Sequence, residues 1–152
     1  MNRRELLDVI AAAGVTAAGT ALAADVAPTP AEHKHHDHAA MSKYGDLVAD
    51  TTRCVNTGEA CIAHCLVLLG EGDKELAACA KTVQDTIASC TALRQMAAAN
   101  SPYVAKLAGV VGDICKDCET ECRKHEKKHS VCRDCAEACA KCAKECQKAA
   151  AA

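Results

Sequence analysis

Residues 132–146 read Cys132-Arg-Asp-Cys135-Ala-Glu-Ala-Cys139-Ala-Lys-Cys142-Ala-Lys-Glu-Cys146, with cysteine steps of 3, 4, 3 and 4. That spacing is the period of one face of an α-helix. At about 100° per residue, the five sulfurs fall within an arc of roughly 80°. The residues between them are Ala, Glu, Lys, Asp and Arg, mostly good helix formers. An amphipathic helix normally fills its buried stripe with Leu, Ile or Val. This one fills it with thiols.

Outward from this stretch, the rule holds. Cys54, Cys61 and Cys65 are 7 and 4 apart, Cys79 and Cys90 are 11 apart, and Cys115, Cys118 and Cys122 are 3 and 4 apart. All are helical spacings that hold one face. Breakers divide the chain into four helical segments: Lys43 to Leu69, stopping at Gly70-Glu-Gly72; a second to Ala99, capped by Asp73; a third from the stop Asn100-Ser101-Pro102, with Pro102 as its first residue, to Glu126; and a fourth capped by Ser130 and ending in the alanine tail. Short connections make neighbours antiparallel. The predicted fold is all-α, an antiparallel four-helix bundle with a cysteine-lined interior.

Reflecting each helix about its loop sets the levels of that interior. Cys65 meets Cys79, Cys54 meets Cys90, and Cys79 meets Cys122. Cys122 meets Cys135, Cys118 meets Cys139, and Cys115 meets Cys142. The end holding the first and third loops is thiol-rich. Leu47, Leu93, Met96, Val104 and Leu107 gather at the other end as an apolar plug.

The chain has 152 residues, a formal net charge of -2, no Trp, no Phe and two Tyr. Its thirteen cysteines replace the aromatics a core of this size normally uses. The charge balance gives no basic surface for nucleic acid. No Ser/His/Asp constellation or phosphate-binding glycine loop argues for an enzyme. Residues 1–23 read as a signal peptide: Arg3-Arg4 resembles a twin-arginine motif, an apolar run spans Val9 to Leu22, and Ala21-Leu22-Ala23 fits a cleavage site. On that reading the mature protein is exported to the periplasm or another extracytoplasmic compartment. Residues 24–41 read as a flexible linker with a polar His33–His38 tract, and residues 42–152 as the bundle.

Thiolate is a soft ligand favouring Cu(I), Zn and iron–sulfur clusters. Structural zinc needs four ligands in a tetrahedron, and thirteen cysteines on continuous faces are not parcelled into fours. Ferredoxin spacing is absent. Cu(I) is satisfied by two or three thiolates, which i,i+3 and i,i+4 pairs and neighbouring helices supply. The residues therefore point to many Cu(I) ions per chain on Cys54, Cys61, Cys65, Cys79, Cys90, Cys115, Cys118, Cys122, Cys132, Cys135, Cys139, Cys142 and Cys146. His64, inside a Cys-x-x-His-Cys sequence, supplements them at the thiol-rich end; His125 and His129 read as helix-end surface residues. The alternatives are a thiol redox protein with reversible disulfides, or a zinc- or cadmium-buffering, metallothionein-like protein.

From Tyr44 to Lys148 the pattern resembles the bacterial copper storage proteins. Its most specific parts are Cys61-Ile-Ala-His64-Cys65, Cys115-Lys-Asp-Cys118-Glu-Thr-Glu-Cys122 and Cys132 to Cys146. The resemblance implies a homotetramer of bundles that stores copper for copper-demanding enzymes, with a copper-accepting protein as a possible partner.

Overall fold

The computed structural model describes residues 42–152. The expected signal segment and histidine-rich linker lie outside the described residues. The four helices are α1 (Gly45–Gly70), α2 (Ala77–Ala98), α3 (Val104–His125) and α4 (Ser130–Ala150). Each packs on its two ring neighbours: α1 on α2, α2 on α3, α3 on α4 and α4 on α1, with the α1–α2 and α3–α4 hairpins in the most extensive contact. The architecture is the all-α four-helix bundle that the cysteine period predicts. Among the described residues no helix is long and apolar enough to cross a membrane.

The helix ends follow local chemistry. α1 stops where Gly72 takes φ +97°, a conformation that favours glycine, and the Asp73 N–H donates to the Leu68 carbonyl at 3.0 Å. Asp73 does cap, but it caps a short 3₁₀ turn over Lys74–Leu76, its carboxylate accepting from the Glu75 N–H at 3.0 Å, and α2 proper begins after it. α2 ends at Ala98, and just beyond it Asn100 adopts the left-handed conformation (φ 51°). Two expected starts differ from the structure. α3 begins at Val104 rather than Pro102, because the Ser101 hydroxyl accepts from the Tyr103 N–H at 3.3 Å and holds Pro102 in a turn. α4 takes Ser130 as its first helical residue; His129 is the extended residue before it, and neither side chain caps.

All thirteen cysteines are wholly buried, and all are free thiols. Small residues let the backbones close around them. A Cβ on Gly112 of α3 would lie 3.2 Å from the Cys146 Cβ of α4, and Ala136, Ala138 and Ala143 of α4 are buried beside the thiols. The two other polar core residues are satisfied within their own helices: Thr51 donates to the Leu47 carbonyl at 2.6 Å and Thr86 to the Thr82 carbonyl at 2.9 Å. At the far end Leu47, Leu93, Val104 and Ala97 are buried, with Met96 and Leu107 half-buried against them. This is the expected apolar plug. The Ser42 hydroxyl ties the start of α1 to it, donating to the Ala97 carbonyl at 2.8 Å.

Candidate metal centre

The helices bring the thiols into contact across the bundle axis. Cys54 and Cys139 approach to 3.4 Å between sulfurs, Cys79 and Cys122 to 3.5 Å, Cys90 and Cys115 to 3.7 Å, and Cys90 and Cys142 to 3.8 Å. Cys61 lies 3.9 Å from Cys132, and Cys65 lies 4.0 Å from Cys79. Within one helix, Cys118 and Cys122 are 3.9 Å apart and Cys142 and Cys146 are 4.0 Å apart, both at i,i+4. A disulfide needs about 2.03–2.05 Å between sulfurs, so these are apposed thiols, not bonds.

Four groups have ligand atoms that all lie within 4.8 Å of one another. At the loop end, the mouth, stand Cys61, Cys65, Cys79 and Cys132. Below them come Cys61, Cys122 and Cys135, then Cys118, Cys135 and Cys139. Cys54, Cys90, Cys115 and Cys142 form the floor group, four thiols from four helices. Cys61 and Cys135 each belong to two groups and so join the upper three; the floor group shares no member with them and meets them through the Cys54–Cys139 contact. Every level pair expected from reflection about the loops is found in a sulfur contact or in one of these groups.

The hydrogen bonding among thiols spreads their proton affinities. The bonds with Cys115 and Cys139 bring the Cys54 thiol down to about 6. Cys115, Cys146 and Cys54 do the same for Cys142, also down to about 6. Cys139 is pushed up, by its bonds to Cys115 and Cys118 first, and Cys122 by its bonds to Cys118 and Cys135. Burial, then the neighbouring Cys79, raises Cys65 to about 11. Buried sulfurs therefore hold protons and thiolate charge side by side, in the form a soft cation displaces.

His64 is half-buried at the mouth and faces His129. Its Nε2 lies 3.0 Å from Nδ1 of His129, with ring centroids 4.8 Å apart. Neither imidazole belongs to a group of three or more ligand atoms. Burial, then His64, holds His129 below the usual imidazole range. His129 is thus part of the mouth rather than a plain surface residue, a role the sequence reading missed although the signal was there. In the α1–α4 pairs Cys54–Cys139, Cys61–Cys132 and His64–His129, the two residue numbers add to the same total, so one reflection rule covers all three.

The chain was compared with known proteins. It is 29% identical over 113 residues to the uncharacterized cysteine-rich protein YhjQ of Bacillus subtilis (strain 168), covering 73% of this chain and all of that one. Its fold matches a cytosolic copper storage protein from Streptomyces lividans, solved with five coppers, at TM-score 0.65 and 28% identity over 72% of this chain and 92% of that one. It also matches the Cu(I)-bound copper storage protein BsCsp3 of Bacillus subtilis at TM-score 0.62 and 26% identity, covering 71% and 99% of the two chains.

These relatives correct one expectation. The Streptomyces protein is cytosolic, which points to the cytoplasm and overturns the extracytoplasmic location read from Arg3-Arg4 and Ala21-Leu22-Ala23. The motifs behind the export reading lie wholly before the part of the chain that its relatives share. That part is residues 40–151, which match the family described as copper storage protein, and the chain belongs to that family.

Proposed function

We propose that the chain stores Cu(I) on all thirteen cysteines, with copper admitted and released at the mouth between the α1–α2 and α3–α4 loops. The observation that carries this reading is the continuity of the thiols: each is wholly buried, the upper three groups share members, and the Cys54–Cys139 contact at 3.4 Å joins them to the floor group. Sulfurs bridge soft ions, so a ladder spaced at 3.4–4.0 Å lets an ion step between thiolates without being released. At the opposite end a bare ion would meet only Leu47, Leu93 and Val104, and the desolvation cost closes that route. His64, against His129, guides ions into the first thiol group. Storage of this kind involves no covalent chemistry on a substrate and no catalysis. The proposed domain is residues 42–152. The proposed assembly is a homo-oligomer, a tetramer by resemblance, supported by exposed Leu66, Val67 and Val110. A copper-accepting protein is its proposed client.

The test is an anaerobic Cu(I) titration of the fully reduced protein, followed by thiolate-to-copper absorption. The expected end point is on the order of one Cu(I) per cysteine, because a bridging sulfur serves two ions. Saturation at about two to four ions would mean discrete tetrahedral sites instead. Zinc should bind fewer equivalents, since each ion occupies up to about four ligands.

A further inference from the structure

The four helices do not line the thiol ladder evenly. The mouth group draws on α1, α2 and α4, and the floor group on all four helices. Between them, Cys118, Cys135 and Cys139 come from α3 and α4 alone. On α1 the residue between Cys61 and Cys54 on the inner face is Gly58, buried and without a side chain. A Cβ there would lie 2.9 Å from Ile87 Cγ1 and 3.7 Å from Val83 Cγ1, so α1 and α2 close directly on each other at this height. On α2 the inward residues between Cys79 and Cys90 are Val83 and Thr86, both wholly buried. Val83 is apolar. The Thr86 hydroxyl is committed to the Thr82 carbonyl at 2.9 Å, and a hydroxyl is in any case a hard ligand, poorly matched to a soft ion. The ladder therefore has a waist with sulfur on one side only.

Through this waist the sulfur contacts narrow to those of one sulfur. Of the sulfur pairs within 4.0 Å, those involving the floor group are Cys90–Cys115, Cys90–Cys142, Cys142–Cys146 and Cys54–Cys139. The first three stay on the floor. Of these pairs only Cys54–Cys139, at 3.4 Å, reaches upward; the other floor thiol bonded across the waist, Cys115, meets the same sulfur, and Cys139 is also grouped with Cys118 and Cys135 above it.

We propose that Cys139 is the transfer residue of the store, dividing it into a mouth pool and a floor pool joined at one sulfur. This rests on the copper-storage reading above. In the transfer step, Cu(I) held by Cys139 with Cys118 or Cys135 forms a bond to the Cys54 sulfur as its bond to the upper sulfur breaks. Where Cys54 carries a proton, it passes to the vacated sulfur; where Cys54 is already a thiolate, the vacated sulfur takes over the negative charge; no electron moves. The floor, enclosed by four helices, is the slowly exchanging reserve, and the mouth pool is the fraction that trades with carriers.

The experiment mixes fully reduced protein anaerobically with a Cu(I)–chelator complex and follows loading by thiolate-to-copper absorption. Four chains are compared: unchanged, Cys139→Ser, Cys146→Ser, and Cys139→Ser combined with Cys90→Ser and Cys115→Ser. In Cys139→Ser the mouth share should load at the unchanged rate. The floor share should load at least about tenfold more slowly, the slowing that ~1.4 kcal/mol of added barrier produces. Cys146→Ser, which removes a thiol at the floor's edge but leaves the link, should show no slow phase. The triple variant should lose the slow phase, because the floor group that generates it is gone. Cys139→Ala repeats the test with a strong helix former, and far-UV circular dichroism checks that each chain is folded. If Cys139→Ser loads wholly at the unchanged rate, or loses capacity without a slow phase, the transfer role is wrong and Cys139 is one ligand among many. If the unchanged chain takes up only a few ions, the storage reading itself fails.

Discussion

Two glycine-to-alanine substitutions separate the effect of helix propensity from that of packing. Gly109 lies within α3, exposed, and a Cβ there meets nothing within 4 Å. Gly109→Ala should therefore return the full propensity difference, about 0.8–1.0 kcal/mol of added stability. Gly58→Ala gains the same propensity but places its Cβ 2.9 Å from Ile87 Cγ1 and 3.4 Å from Ile87 Cδ1. The closer atom is not the end of a flexible side chain; it sits on the branched carbon of an isoleucine, whose χ1 is stiff. Overpacking of this kind costs about 1–3 kcal/mol. The net expectation runs from near zero to about 2 kcal/mol of destabilisation. Denaturant unfolding of the reduced apo protein, followed by far-UV circular dichroism, measures both. Equal stabilisation by the two substitutions would refute the argument, because it would mean that α1 and α2 do not meet at Gly58 as closely as described.

Leu93 is wholly buried in the plug, and Leu93→Ala should cost about 2–5 kcal/mol of apo stability while leaving copper transfer to a chelator at its original rate; the first is read by denaturant unfolding and the second by chelator absorbance. Removing copper should leave the helical circular dichroism nearly unchanged, since neutral cysteine is a small apolar core residue and the fold does not wait for metal; a coil spectrum in the apo protein would contradict this. Stability should also depend on alkaline pH. Cys65 keeps its proton up to about 11 in the fold against an ordinary 9.0, so its contribution is complete below pH 9 and lost by about pH 11. Cys54 and Cys142, lowered from 9.0 to about 6, act in the opposite sense: their contribution is present above pH 9 and is lost as pH falls through about 6. Apo unfolding midpoints across pH 5–11 test both directions, and a flat profile would count against both.

The bundle and its cysteine levels were legible in the sequence because a period of 3 and 4 constrains every thiol to one face, and short loops leave one way to fold the faces together. The pairing of Cys118 with Cys139, two helices' worth of register, follows from the loop positions alone. Helix starts were less legible because competing caps look alike in sequence. Ser101 and Pro102 form a tight turn before α3, and His129, with extended backbone, precedes Ser130 where a serine cap was expected. The waist escaped the reading for a different reason. It depends on what Gly58, Val83 and Thr86 fail to provide, and a search for cysteines does not register their absence from two of four walls. The export reading failed because it rested on a short apolar leader with loose motifs, whereas the cytosolic relative resembles the chain through the bundle itself.

The complete burial of the thiols has an electrostatic consequence. A core with no exposed sulfur cannot accumulate charge cheaply, because each unpaired ion away from water costs several kcal/mol. When a thiol exchanges its proton for Cu(I), one positive charge enters and one leaves, so that exchange leaves the charge of the interior unchanged. Electroneutrality then favours a cargo near one ion per sulfur: beyond that, added copper makes the core cationic, and below it, a sulfur without an ion keeps its proton except where neighbouring thiols stabilise the thiolate, as at Cys54 and Cys142. Loading is accordingly a proton-for-metal exchange, and on the proposed route the protons leave by the mouth through which the copper arrives.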